Sequence, residues 1–368
     1  MTPDGAVTLL LAGDVMTGRG VDQALRHHAP PQLFEPAVDD AREYLRLAEA
    51  ASGPVGAPLA PHEPWGAALA HYVAPDVDAR VVNLETAVTA GGAPWPHKGI
   101  HYRMHPANVD VLTAARIDVC TLANNHVLDW GRDALRETLA TLHAAGIATA
   151  GAGSDAGAAW APAAVALPTG ARLLVWSVAT ADSGVPADWA AAAHRPGVAL
   201  LHDLAPSGAQ RMADTVQRHR RPGDLVVVSV HWGANWVAEV PAAQRDFARR
   251  LVDLGAADVV HGHSAHHPLP VEVHAGHAIL HGCGDLIDDY EGIGAHGTWR
   301  HDLALLHRLQ LDGATGRLRR LDAWALQRRR LRLQRADEGA VDALRTLLQP
   351  DTAAGWRETA DGWTLVPA

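Results

Sequence analysis

Ala257-Asp258-Val259-Val260-His261-Gly262-His263-Ser264-Ala265-His266-His267 is the stretch from which the rest of the chain is read. A short apolar run stops abruptly and four histidines follow within seven residues. Short runs rich in Val, Ile and Leu suit strands buried on both faces. Neutral imidazole is the commonest metal ligand, so a cluster this dense at a strand end calls for a chemical reason.

The same design recurs along the chain. Apolar runs at Val7–Ala12, Ala79–Val82, Ile117–Ala123, Arg172–Ser177, Asp224–Val230, His277–Leu280 and Leu303–Leu311 predict further strands. Helical spacing lies between several of them. Leu135, Leu139 and Leu142 fall at i, i+4 and i+7 within Arg132–Ala145. Phe247, Leu251 and Leu254 repeat the pattern within Pro241–Leu254, with Pro241 suited to a first turn. Strands alternating with helices predict an α/β fold of layered mixed sheets flanked by helices. The Ala-, Pro- and Gly-rich segment 21–75, with one helix around Val38–Ala50, reads as an insertion over a sheet edge. The stretch Arg317–Arg335 is strongly basic and reads first as a solvated face, second as a surface for an anionic ligand.

Composition narrows the function. The 368 residues are 48% hydrophobic and 20% charged, as in an ordinary globular protein. A formal net charge of −10 argues against a sequence-independent grip on nucleic acid, which depends on neutralising phosphates. Lys98 is the sole lysine, and no GK[ST] phosphate loop exists. Gly151-Ala152-Gly153 with Gly157 misses the dinucleotide fingerprint by one position, and neither a G-x-S-x-G elbow nor an H-E-x-x-H helix is present. Cys120 and Cys283 adjoin apolar runs and read as small buried thiols. Val7–Ala12 is far shorter than the ~20 residues of a spanning helix and lacks the flanks of a signal peptide. A soluble, cytoplasmic protein without a membrane segment is expected.

The chemistry sits just past the strands. Their ends deliver Asp14, Glu85, Asn124-Asn125-His126 with Asp129, His231-Trp232-Gly233, the His261–His267 cluster and Asp285. Ligands of open α/β sheets bind at the carboxyl ends of the strands, so residues far apart in sequence converge there. Carboxylates, an Asn carbonyl and imidazoles form a mixed set suited to a divalent ion such as Zn, Mn or Fe. The set is large enough for one ion or two bridged by a carboxylate. Trp232 and Trp236, close to His231, would wall the site. The plainer alternatives are ordinary turns after strands and hydrogen-bonded structural histidines.

At these residues the sequence resembles the CapA/PgsA family, named for poly-γ-glutamate capsule biosynthesis, whose fold resembles the calcineurin-like metallophosphoesterases. The resemblance rests on Gly13-Asp14-Val15-Met16 with Arg19, Asn83-Leu84-Glu85, Ala123-Asn124-Asn125-His126 with Asp129 and Gly131, His231-Trp232-Gly233, His261–Pro268 and Gly282–Asp285. It implies a domain over 1–311, with 312–368 as an extension packed on it. It further implies Asp14 as a ligand of a first metal and Glu85 as the bridging carboxylate. Asn125 and His231 would bind a second metal, and two of His261, His263 and His266 would close the site. His126, oriented by Asp129, would act as proton donor. Two departures stand out: Met16 occupies the place of a His ligand, and Asn83-Leu84-Glu85 replaces a Gly-Asp-x-x-Asp-Arg motif.

Two functions are therefore expected. The first is a metal-dependent hydrolase of an anionic phosphoester or amide, including poly-γ-glutamate-like chains, with Arg19, Arg103 and Arg132 orienting the substrate. The second is a non-catalytic polymer-binding or assembly protein using the same crevice.

Overall fold

The computed structural model describes residues 5–293, 300–348 and 356–367. The strands that matter are, in chain order, Ala6–Val15 (β1), Ala79–Leu84 (β2), Val119–Thr121 (β3), Ala148–Ala150 (β4), Arg172–Thr180 (β5), Leu225–His231 (β6), Val259–His263 (β7), Val271–His274 (β8), His277–Leu280 (β9), Asp285–Ile287 (β10), Leu303–Asp312 (β11) and Leu318–Arg329 (β12). Four helices cover them: Arg42–Ser52 (α1), Gly131–Ala144 (α2), Pro206–Gln217 (α3) and Ala242–Asp253 (α4). Each apolar run read from the sequence is a strand.

The strands form two sheets. Among the described residues, one has ten strands and contains β1, β2, β3 and β4 in parallel order. The other has seven and contains β5, β6, β7 and β9, also parallel. β11 runs antiparallel to β1 on one side and to β12 on the other, so the chain beyond 312 continues the first sheet. This is the mixed, layered α/β architecture expected.

Alternation along the strands sets the layers. Leu9 and Leu11 of β1, Val175 of β5, Val227 of β6 and Val259 of β7 meet in one buried cluster between the sheets. Leu10, Val82 and Cys120 face the other way and pack with Leu135 and Leu142 of α2. Trp176, Val228 and Val260 cover the outer face of the second sheet with Met212 of α3 and Phe247 of α4. The order is helix, sheet, sheet, helix. Segment 21–75 packs over a face rather than an edge, because Val21, Leu25, Ala48, Leu59, Trp65 and Tyr72 join the cluster outside the first sheet. Cys120 and Cys283 are free and buried. No helix among the described residues is long and apolar enough to cross a membrane.

The basic stretch is mostly neutralised by neighbours. Arg319 pairs with Asp312, Arg320 with Asp322, Arg329 with Asp337, Arg332 with Glu63 and Arg335 with Asp361. Arg328 turns inward, pairing with buried Asp288 at 2.8 Å.

Candidate metal centre

β1 runs beyond its apolar core to Asp14, which lies between two parallel neighbours, paired in register with Asn83 of β2 and Asp285 of β10. Gly13 makes this possible. A Cβ there would come within 2.0 Å of the Gly284 carbonyl oxygen, which accepts from Asp14 N at 3.0 Å. Asn83 Nδ2 donates to Asp14 Oδ1 at 2.7 Å, and Ser264 N donates to Oδ2 at 3.2 Å. Burial and the nearby Asp285 charge push the Asp14 carboxyl up to about 7.

Glu85 follows β2 and is fully buried, yet neither carboxylate oxygen meets a hydrogen-bond donor. Burial, then Asp14 and Asp285, hold its pKa well above the usual range. The turn after β3 is built on Asn124, whose Oδ1 accepts from the backbone N–H of His126 and Val127. That turn aims His126 Nε2 at Glu85 Oε1, 3.8 Å away. His126 Nδ1 lies 2.6 Å from Asp129 Oδ2. The expected effect of Asp129, a charged ring, is not what this environment favours. Burial and the neighbouring Lys98 ammonium push His126 well below its ordinary value.

The second sheet supplies the histidines. His231 and His263 end β6 and β7 as register partners, their Nδ1 atoms 2.7 Å apart. His231 Nε2 lies 3.1 Å from Asn125 Oδ1 and 3.8 Å from Glu85 Oε1. Burial lowers the pKa of both histidines, leaving neutral imidazoles, the metal-binding form. His261, the other candidate on β7, stands apart. Its Nε2 donates to the Ala12 carbonyl at 2.9 Å and its Nδ1 meets Ser229 Oγ at 3.1 Å, so both ring nitrogens are engaged between the sheets. His266 Nδ1 lies 2.8 Å from Asp285 Oδ1 and 3.8 Å from Asp14 Oδ2. Burial opposes its charge, but Asp285 and Asp14 outweigh that and raise it to about 9.

Two groupings of possible ligand atoms result, Asp14 with His231 and His263, and Asp14 with Glu85 and His266, the atoms of each within 4.8 Å of one another. The donor set fits a divalent cation. Burying Glu85 without a donor beside Asp14 and Asp285 is costly unless positive charge compensates it. Mixed carboxylate and imidazole ligands suit Zn, Mn or Fe.

Each of the four expected substrate contacts is engaged by protein groups. Arg19 is buried between the rings of Tyr44 and Tyr102 and pairs with Asp289 and Glu35. Arg103 lies over Trp130 and donates to the Pro30 carbonyl, and Arg132 donates to the carbonyls of Pro196 and Asp188. Trp232 points away from His231, as successive strand residues alternate. It packs on Phe247 and donates Nε1–H to the His281 carbonyl. Trp236 is the tryptophan beside the site, stacked on His267 and tilted over His266.

A family model described as "Bacterial capsule synthesis protein PGA_cap" matches residues 8–290, well over half the chain. The chain belongs to the PGA_cap family. A "Probable polyglutamine synthesis accessory protein" of Mycobacterium tuberculosis is 47% identical over 348 residues, covering 94% of this chain and 91% of that protein. The "PGA biosynthesis protein CapA" of Bacillus subtilis is 28% identical over 192 residues, 52% of this chain and 48% of that one. A solved structure from Mycoplasma pneumoniae described as a novel phosphatase superposes with TM-score 0.47 at 11% identity, covering 88% of this chain and 94% of the other.

The PGA_cap region also contains residues at the site that were not among the candidate ligands read from the sequence. Asp285 opens its strand instead of following one, and its Oδ2 is buried without a partner. Asn83 and Ser229 hold Asp14 and His263 in place. Lys98 comes from the irregular segment between β2 and β3, its Nζ 2.7 Å from Asp129 Oδ1.

Proposed function

We propose that this PGA_cap chain is a metal-dependent hydrolase acting on an anionic amide or phosphoester, with a glutamate polymer as the favoured substrate. The observation that carries the reading is Asp14, shared by both ligand groupings, beside a donor-less buried Glu85 that faces His126. Asp14, Glu85, His231, His263 and His266 would hold one or two divalent ions, with Asn125 beside His231. Such an ion supplies Lewis acidity toward the scissile group and toward water. His126 takes the proton that water gives up at Nε2 and returns it to the leaving nitrogen or oxygen. Asp129 holds the ring for that transfer. The polymer is suggested by the names of the relatives, which concern polyglutamine synthesis and PGA biosynthesis.

One observation favours a second reading, in which the chain holds an anionic polymer without cutting it. Met16 stands where the metallophosphoesterase pattern has a His ligand, and its buried thioether meets the Tyr290 hydroxyl at 3.8 Å. Elemental analysis after expression with Mn, Zn and Fe, joined to turnover of γ-glutamyl-p-nitroanilide and bis(p-nitrophenyl) phosphate, separates the two. Bound metal with turnover that vanishes on chelation supports the hydrolase. Near-zero metal sinks it, and bound metal with no turnover on either probe supports the binding role.

A further inference from the structure

β8 is an edge of the second sheet. It pairs with β9 from Val271 opposite Leu280 to His274 opposite His277, and its other side meets no strand among the described residues. A cavity of about 730 Å³, within the range of ligand sites, lies along it. All four residues of β8 line that cavity. Side chains alternate across a strand, so a cavity on one face would meet only every second residue. Contact with four in a row means that the cavity runs beside the edge, which presents backbone N–H and C=O groups.

The flanks of the cavity are basic. The layer order puts α4 on one side of β8 and β12 on the other. From α4 come Arg245 and Arg249, four residues apart and therefore on one helix face. Arg249 Nε donates to Glu272 Oε1 at 2.6 Å, and buried His281 donates Nε2–H to Glu272 Oε2 at 3.2 Å. Burial alone would raise the Glu272 carboxyl, but these two partners hold it down at about 2, so it stays charged and keeps Arg249 against β8. From the other side comes Arg317, just before β12. Its guanidinium lies against Gly276, where a Cβ would come within 2.4 Å of Nη2, and the Gly276 carbonyl accepts from Leu318 N at 2.8 Å. Gly276, with φ +85, thus makes the turn from β8 to β9 and also seats the arginine. Three arginines outnumber the two carboxylates of the walls, Glu239 and Glu272.

The cavity is also close to the metal centre. His267, which lines it, directly follows His266, and the Trp236 ring packs on both imidazoles. We propose that this cavity holds a segment of the glutamate polymer as an added strand on β8, its amides bonded to the strand edge and its alternate carboxylates drawn to Arg245 and Arg249 on one side and to Arg317 on the other. The identity of the polymer rests on the function proposed above; the strand edge and its arginines do not. The cavity gives the polymer a grip separate from the metal ligands.

Fluorescence anisotropy of fluorescein-labelled hexaglutamate, in an α-linked and a γ-linked form, tests this on the full chain, metal-loaded and metal-stripped. At least one form should bind in both states, and the tighter one names the linkage. The double variant Arg245→Gln with Arg317→Gln should weaken binding about 10- to 100-fold, with bound metal and Tm unchanged. Should the double variant melt early, Arg317→Glu, at an exposed position, replaces it. Wild-type affinity in the charge-depleted variant overturns the proposal; if that affinity also vanishes on metal removal, the polymer sits on the metal centre instead. Absence of binding by both forms overturns it too, as does equal displacement by tripolyphosphate, which would leave only an unspecific patch of charge. If wild type neither holds metal nor turns over the two chromogenic probes, the hydrolase reading falls, while the anisotropy still decides for or against the cavity.

Discussion

Asp14 and Asp285 are register partners on neighbouring parallel strands, and one imidazole, His266, lies within 3.8 Å of the first and 2.8 Å of the second. Two buried carboxylates so placed repel each other unless positive charge lies between them. That balance of charge governs how the site responds to substitution, to metal and to pH.

Asp14 belongs to both ligand groupings, whereas His231 and Glu85 each belong to one. Asp14→Asn should therefore reduce bound metal to near zero, and His231→Ala should leave a residual fraction. Elemental analysis of the two variants beside wild type checks this. Full occupancy in Asp14→Asn would move the site elsewhere.

His126 lies close to Glu85 yet outside both groupings. His126→Gln should keep the metal and lower kcat about 100-fold or more. Parallel metal analysis and turnover separate this from ligand loss, since equal loss of both would make His126 a ligand.

Above neutrality, where the histidines held neutral by burial no longer respond, the stability of the metal-stripped protein should fall as pH rises. Asp14, ordinarily at 3.8, sits near 7 when folded, so the folded chain binds a proton that the unfolded chain has released. That contribution is lost as pH climbs through about 7. His266, raised to about 9 from 6.5, contributes stability below 6.5 that disappears as pH passes 9. Thermal melts from pH 7 to 9 should show a declining Tm without metal. Added divalent ion should raise Tm more at the alkaline end. Asp14→Asn should flatten the part of the decline near neutrality.

Gly13→Ala places a methyl group against the Gly284 carbonyl. Either β1 or the turn before Asp285 must shift, at a cost of about 1–3 kcal/mol. A lower Tm together with reduced metal content is expected. An unchanged metal content would show that Asp14 and Asp285 tolerate movement apart.

Arg328 is 3% exposed, pairs with Asp288 and donates to the Asp285 carbonyl at 2.6 Å. Arg328→Met strands the buried Asp288 charge and should destabilise the fold by about 3–5 kcal/mol. Urea unfolding measures it. A change below about 1 kcal/mol would mean that water reaches Asp288.

Much of this was legible in the sequence because apolar runs end where chemistry begins. Asp14, Glu85, Asn125, His231 and His263 all stand at or just past such ends. Which of the histidines faces the groupings was not legible. His261 and His263 share one side of β7, and only their depth, about 6–7 Å apart along the strand, puts one between the sheets and the other at the crevice. Trp232 was placed beside the site by its nearness in sequence to His231, whereas alternation turns it into the outer layer. Lys98 was noticed as a composition fact alone. Its position depends on how segment 89–102 packs against Asp129, and no local pattern encodes that.

The strand pairings have a consequence for how the protein is made. Ser264, which donates to Asp14, lies 250 positions downstream of it, and Arg19 waits 270 positions for Asp289. β1 gains its antiparallel neighbour only when Leu303–Asp312 has been synthesised. A nascent chain on the ribosome thus carries Asp14 for most of its translation on a strand with one edge unpaired, a form prone to sticking to other chains. Neither ligand grouping can be complete before His263 and His266 have been made.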